Sequence, residues 1–145
     1  AGSGRRVLSP PFGETGGPIL RRRPQPRRDK AAAMTITNKR SGTNVHEIAD
    51  GIYRINTPVE IPGGGGFSFN QYLISDYEPL LFHTGPRKMF PFVREAVASV
   101  LPVESLRFIA LSHVEADECG SLNEWLAVAP EATPLCGRVA AIVLR

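Results

Sequence analysis

The sequence predicts an α/β fold, on three observations. Pro79-Leu80-Leu81-Phe82-His83-Thr84-Gly85 is a near-continuous apolar run closed by Gly-Pro, the composition of a strand buried on both faces. Pro86 to Leu101 then carries Phe90, Val93, Val97, Val100 and Leu101 at helical spacing, and Pro102 stops it. Leu106-Arg107-Phe108-Ile109-Ala110-Leu111 follows as a second apolar strand, so strand, helix and strand succeed one another.

The rest of the chain reads in order around that unit. Residues 1–33 hold five Pro, five Gly and an arginine cluster from Arg21 to Arg28, with little that could form a core. That composition predicts a disordered basic leader over residues 1–43, with Met34 as an alternative start of translation. An Arg-rich targeting peptide would need a Ser enrichment and an amphipathic period that the stretch lacks. The domain is expected over 44–145. Val45 to Ala49 passes through an Asp50-Gly51 turn signal into Ile52-Tyr53-Arg54-Ile55, a short alternating strand. Thr57 to Gly66 is predicted as a loop, ending in four consecutive glycines. A phosphate-cradling loop would need a Lys and a Ser/Thr at fixed spacing and a following helix. Phe67 to Ile74 follows instead, and it reads as a strand, so the glycines mark a hairpin tip. Beyond the central unit, Asp117 is the expected N-cap of a helix with the stripe Leu122, Trp125, Leu126 and Ala129. Thr133 to Gly137 reads as a strand. Val139 to Leu144 begins a helix that is still apolar and uncapped at Arg145, which predicts a fragment.

Charge and composition narrow the function. The formal net charge is +3, but the residues before Met34 carry +6 and those from Met34 onward −3. The basic character therefore belongs to the leader, and a nucleic-acid-binding surface on the domain is not expected. Cys119 and Cys136 are the only cysteines and form no C-x-x-C pair, which suits a reducing, cytoplasmic setting. No apolar run approaches the roughly 20 residues that a membrane helix needs.

The candidate site is the stretch Leu111-Ser112-His113-Val114-Glu115-Ala116-Asp117-Glu118-Cys119-Gly120-Ser121-Leu122. His113, Glu115 and Asp117 alternate, the spacing with which an extended backbone aims several side chains the same way. Imidazole and carboxylate donors suit a hard or borderline metal, iron or manganese more than a thiolate-type zinc site, and a carboxylate can bridge two metals. The competing reading is structural: acidic residues beside a helix N-terminus stabilise it by roughly 0.3–1 kcal/mol each.

The order strand, strand, Leu-Phe-His-Thr-Gly, helix, strand, Ser-His-Val-Glu-Ala-Asp-Glu-Cys-Gly-Ser-Leu resembles the N-terminal half of the metallo-β-lactamase fold. Its H-x-E-x-D signature resembles the branch containing flavodiiron proteins and related oxygen-binding diiron proteins. The resemblance covers roughly residues 45–145. It implies about half of a four-layer αββα sandwich, with one sheet face and edge uncovered and poor solubility for the chain alone. It implies two irons per full-length chain, with His113 and Glu115 on one and Asp117 on the other, and dioxygen or nitric oxide as the ligand reacted with or sensed. Glu118 stands where many members have His, and is expected behind the ligands. His83 stands where relatives commonly have Asp in an Asp-Thr-Gly turn, which puts the support of the metal site in doubt; a packed strand-end histidine is the alternative. His46 is expected at the surface. The remaining ligands, a His, a bridging Asp and a last His, would lie beyond Arg145, so the chain as given is expected to be inactive. FMN is not expected on this segment; a flavoprotein electron donor and a homodimer are expected partners of the full-length form. The alternative within the same superfamily is a zinc hydrolase, since most of its hydrolases carry His where this chain has Glu115.

Overall fold

The computed structural model describes residues 33–143, so the part of the leader before residue 33 and the last two residues lie outside the described residues. The strands are β1 Thr35–Asn38, β2 Thr43–Ala49, β3 Ile52–Glu60, β4 Gly66–Ile74, β5 Leu80–Phe82, β6 Phe108–Leu111 and β7 Thr133–Cys136. The helices are α1 Phe90–Ala98, α2 Ala116–Cys119, α3 Leu122–Val128 and α4 Arg138–Val143. The strands form one seven-stranded sheet in sequence order. β1 to β5 pair antiparallel, and β5, β6 and β7 pair parallel.

The antiparallel part follows from its turns. Gly51 adopts φ +70° between β2 and β3, and Glu47 accepts its N–H at 3.1 Å through Oε1. Gly63, Gly64 and Gly65 all have positive φ at the tip between β3 and β4, where a side chain would be strained. The predicted loop from Thr57 is shorter than expected. β3 continues to Glu60 and pairs residue by residue with β4, because Val59 and Phe67 face each other across the ladder. Proline at 58 did not end the strand. The sheet also begins ahead of the boundary set at residue 44: β1 and Thr43 already belong to it, and Thr35 pairs with Val45. Asn38 Nδ2 donates to Glu95 Oε2 at 2.8 Å, fastening β1 to α1.

One face of the sheet carries the core. Val45, Ile55, Leu73, Leu81 and Ile109 are buried on the strands, against Val93, Ala96 and Val97 of α1 and Trp125 of α3. Trp125 meets Phe90 edge-on, with ring centroids 5.3 Å apart, so α1 and α3 close over the same face. The helix expected from Pro86 to Leu101 is shorter. A 3₁₀ turn at Arg87–Met89 precedes it, and the regular helix ends at Ala98. Leu81 is fully buried, whereas Leu80 and Phe82 are only half-buried, so β5 is not covered on both sides by the described residues. The cross-strand register places His46, Arg54, Tyr72, Phe82, Ala110 and Leu135 in one row on the second face. His46 is half-buried there rather than a surface group.

This is the mixed α/β arrangement that the sequence pattern predicts, with half-buried residues along its second face. Among the described residues no helix is long and apolar enough to cross a membrane.

Candidate metal centre

β5 and β6 run parallel and both end at the same edge of the sheet, where ligand sites of α/β sheets form. His83 leaves β5 in a left-handed conformation, φ +64°, the one non-glycine positive φ among the described residues. Its N–H donates to Ala110 O at 2.8 Å. Ser112 and His113 leave β6 beside it.

The expected alternation at 113, 115 and 117 does not persist in the backbone. Glu115 is extended (φ −123°, ψ 151°), but Ala116 starts α2, so Asp117 turns away on the helical period. Asp117 is not an N-cap either. Glu115 holds that position with no side-chain cap bond, and the helix expected to run on from 117 breaks at Gly120. A Cβ on Gly120 would overlap the Ala116 carbonyl oxygen and press on the Arg87 amide at 3.2 Å. Glycine is therefore required where the end of α2 approaches the segment carrying Arg87, and α3 starts anew after Ser121.

Glu118 is the residue that gathers the corner. Its Oε2 accepts the Ser112 hydroxyl at 2.8 Å and the His113 main-chain N–H at 2.7 Å. The His83 Nε2 lies 3.5 Å from the same oxygen, and the His113 Nδ1 lies 3.6 Å from Oε1. Partial burial works to raise the Glu118 pKa. The Ser112 and His113 hydrogen bonds and the two facing imidazoles outweigh it, holding the carboxyl below its ordinary value. Cys119 shifts the other way. Partial burial pushes its thiol up, its own backbone hydrogen bond opposes that, and the Glu118 and Asp117 carboxylates add to the rise.

Beneath the exposed corner lies a buried stitch. Thr84, fully buried, donates to Glu118 O from its N–H at 2.7 Å and from Oγ1 at 3.0 Å. Ser121, also fully buried, donates its N–H to Thr84 Oγ1 at 3.3 Å and its hydroxyl to Thr84 O at 2.8 Å. The turn after β5 and the loop after β6 are thus one rigid piece. Sequence reasoning missed Thr84, Ser112 and Ser121. The available signal was Glu118 itself, three residues after the N-cap, the position from which a capping-box Glu reaches back to a main-chain N–H.

His113, Glu115 and Asp117 are all exposed, and the side chains of Glu115 and Asp117 carry no hydrogen bond or ion pair among the described residues. Their donor chemistry and accessibility fit a hard or borderline metal. They are not assembled into a closed set: among the described residues no three His, Cys, Asp or Glu side chains gather as a metal cage. Beside His113 an open, mainly apolar cleft of about 310 Å³ is lined by Val114, Val139, Ala140 and Val143, with Arg138 at its side.

The family model described as ODP family beta lactamase matches residues 67–145, more than half of the chain and all of this corner. The chain belongs to that family. A flavo-diiron protein of Clostridium acetobutylicum is 30% identical to this ODP-family chain over 80 residues, covering 55% of the chain and 20% of the relative. A diflavin flavoprotein of Thermosynechococcus vestitus is 27% identical over 120 residues, covering 77% and 21%. The chain thus spans about a fifth of the length of these relatives. Among solved structures, the flavodiiron core of Flv1 from Synechocystis sp. superposes with a TM-score of 0.62 at 23% identity, over 77% of this chain and 28% of that one. That likeness establishes the fold.

Proposed function

We propose that this chain contributes His113, Glu115 and Asp117 to a diiron centre, in a protein that reacts with or senses dioxygen or nitric oxide. The observation that carries the reading is the pair of uncommitted carboxylates beside an exposed imidazole at the β6 end, in a family whose relatives include a flavo-diiron protein. His113 and Glu115 would hold one iron and Asp117 the other. Bound iron supplies one-electron redox chemistry. The chain's own residues contribute the fixed loop, the open approach and the apolar cleft beside His113, a wall suited to a small uncharged ligand. A flavoprotein electron donor and self-association belong to the same reading.

Three donors leave most of two coordination spheres to water, so the 145 residues alone are expected to bind iron weakly and to turn nothing over. The intact protein, expressed from its complete gene and purified with its metals, is expected to hold about two irons per chain by elemental analysis. Zinc as the sole metal, with hydrolytic turnover of an ester or lactam, would replace this reading by a metallo-hydrolase.

A further inference from the structure

The Glu118 carboxylate is positioned like a third acidic donor of the centre, yet its geometry gives it different work. Hydrogen accounting makes the point. An ionised carboxylate only accepts, and a serine hydroxyl has one hydrogen. Ser112 lies 2.8 Å from Glu118 Oε2 and 2.8 Å from His83 Nε2. Its hydrogen goes to the carboxylate, so its oxygen accepts from His83, and His83 must carry a proton on Nε2. The same Oε2 accepts the His113 main-chain N–H at 2.7 Å. Both groups are largely shielded, the side chains of His83 and Glu118 being 17% exposed, whereas that of His113 is 71% exposed.

We infer that Glu118 is a positioning residue and not a metal ligand: His83, Ser112 and Glu118 form a hydrogen-bonded strap across the ends of β5 and β6 that fixes the backbone of His113. Two further features agree with it. His83 is held at φ +64°, a conformation that a non-glycine residue keeps only when its surroundings over-determine it. Its ring also stacks on Phe82, with centroids 4.2 Å apart, which limits the ring to one orientation toward Ser112. Behind the carboxylate, the Glu118 carbonyl is pinned by Thr84, so the strap is anchored at both main-chain and side-chain ends. The inference rests on the proposed centre only for what His113 is held toward; the strap itself exists without metal.

The test therefore has two arms, both on the intact protein. In the metal-free protein, nitrogen-15 NMR of the histidine rings is expected to show a His83 Nε2–H proton protected from exchange with water. Ser112→Ala should remove that protection. Glu118→Ala should accelerate exchange of the His113 amide by about 10-fold or more, the loss of one hydrogen bond to a charged acceptor, and Glu118→Gln by less, since its amide oxygen still accepts. A His83 ring protonated on Nδ1 alone, or a His113 amide indifferent to Glu118→Ala, overturns the strap. Ser112→Ala, at an exposed position, keeps this arm decisive if Glu118→Ala does not fold. In the second arm, Co²⁺ alone is titrated into wild type and Glu118→Gln. Absorption bands of the same shape and intensity, with affinity lower by about 10–100-fold, are expected of a group that acts through its neighbours. Altered bands place the carboxylate in the coordination sphere and overturn the inference. Failure of the wild type to bind Co²⁺ counts against the proposed centre and leaves the strap to the NMR arm.

Discussion

Replacing Thr84 by valine removes the hydroxyl that joins the two loops while keeping the shape of the side chain. In the native fold Oγ1 donates to Glu118 O at 3.0 Å and accepts the Ser121 N–H at 3.3 Å. Glu118 O keeps its second partner, the Thr84 N–H at 2.7 Å, so little is lost on that side. Ser121 N–H has no comparable replacement: it is buried, and valine offers it a methyl group. One orphaned buried donor costs about 1–3 kcal/mol, and one neutral hydrogen bond contributes about 0.5–1.5 kcal/mol net. A loss of about 2 kcal/mol is therefore expected, roughly a 30-fold shift in the folded-to-unfolded ratio. Thr84→Ser keeps the hydroxyl and gives up one methyl, about 0.8 kcal/mol. The assay is urea denaturation of the intact protein in both variants, compared at equal slope. Should Thr84→Val stay within about 0.5 kcal/mol of wild type, or fall no further than Thr84→Ser, the stitch contributes nothing and the rigid-corner argument fails.

Gly120→Ala is expected to destabilise by about 1–3 kcal/mol by overpacking, because the added methyl meets the Ala116 carbonyl and the Arg87 amide; thermal unfolding of the variant checks it. Trp125→Ala should cost about 3–5 kcal/mol, and Trp125→Phe less than half of that, since the buried indole Nε1 has no hydrogen-bond partner among the described residues; denaturant midpoints separate the two. In the metal-free protein Glu118 is held below its ordinary value of 4.5, so its contribution is present above that unfolded value and is lost as pH falls through the folded one. Glu118→Gln should therefore flatten the acid limb of the stability profile below that value; an unchanged limb, read by denaturation at several pH values, contradicts this contribution.

The sheet was legible in the sequence wherever a local signal was strong. Asp50-Gly51 and the glycine run marked two hairpins, and the apolar run ending at Phe82 marked a central strand. β1 was not legible because Thr-Ile-Thr-Asn has one apolar side chain and adjoins the basic leader; only its pairing with β2 and the Asn38–Glu95 bond make it a strand. The site was legible in its donors and not in its shape. Alternation at 113, 115 and 117 implied an extended chain, but helical geometry starts at Ala116 because Glu118 reaches back across the loop and Gly120 admits the neighbouring backbone. The first cause lies within the loop itself, whereas the second is tertiary, since the Arg87 amide that Gly120 admits belongs to the segment after β5.

The acidic and imidazole groups of the corner divide by what already holds them. Glu118 and His83 are shielded and engaged with Ser112. Glu115 and Asp117 are exposed and make no side-chain hydrogen bond or ion pair among the described residues, and a four-residue helix gains little from a carboxylate near its start. A corner that needed acids only for helix stability would place one in a capping bond, and Glu115 at the N-cap makes none. Two unengaged carboxylates beside an exposed imidazole, on a loop fixed from behind by a buried threonine and a shielded carboxylate, are the donors on which the proposed metal centre depends. That makes Glu115→Gln with Asp117→Asn the sharpest pair of substitutions. In the metal-free intact protein they should leave folding within about 0.5 kcal/mol of wild type, as exposed positions do, and in the protein purified with its metals they should remove most of the bound iron. Equal iron content in the double variant would return both carboxylates to the role of an ordinary solvated surface.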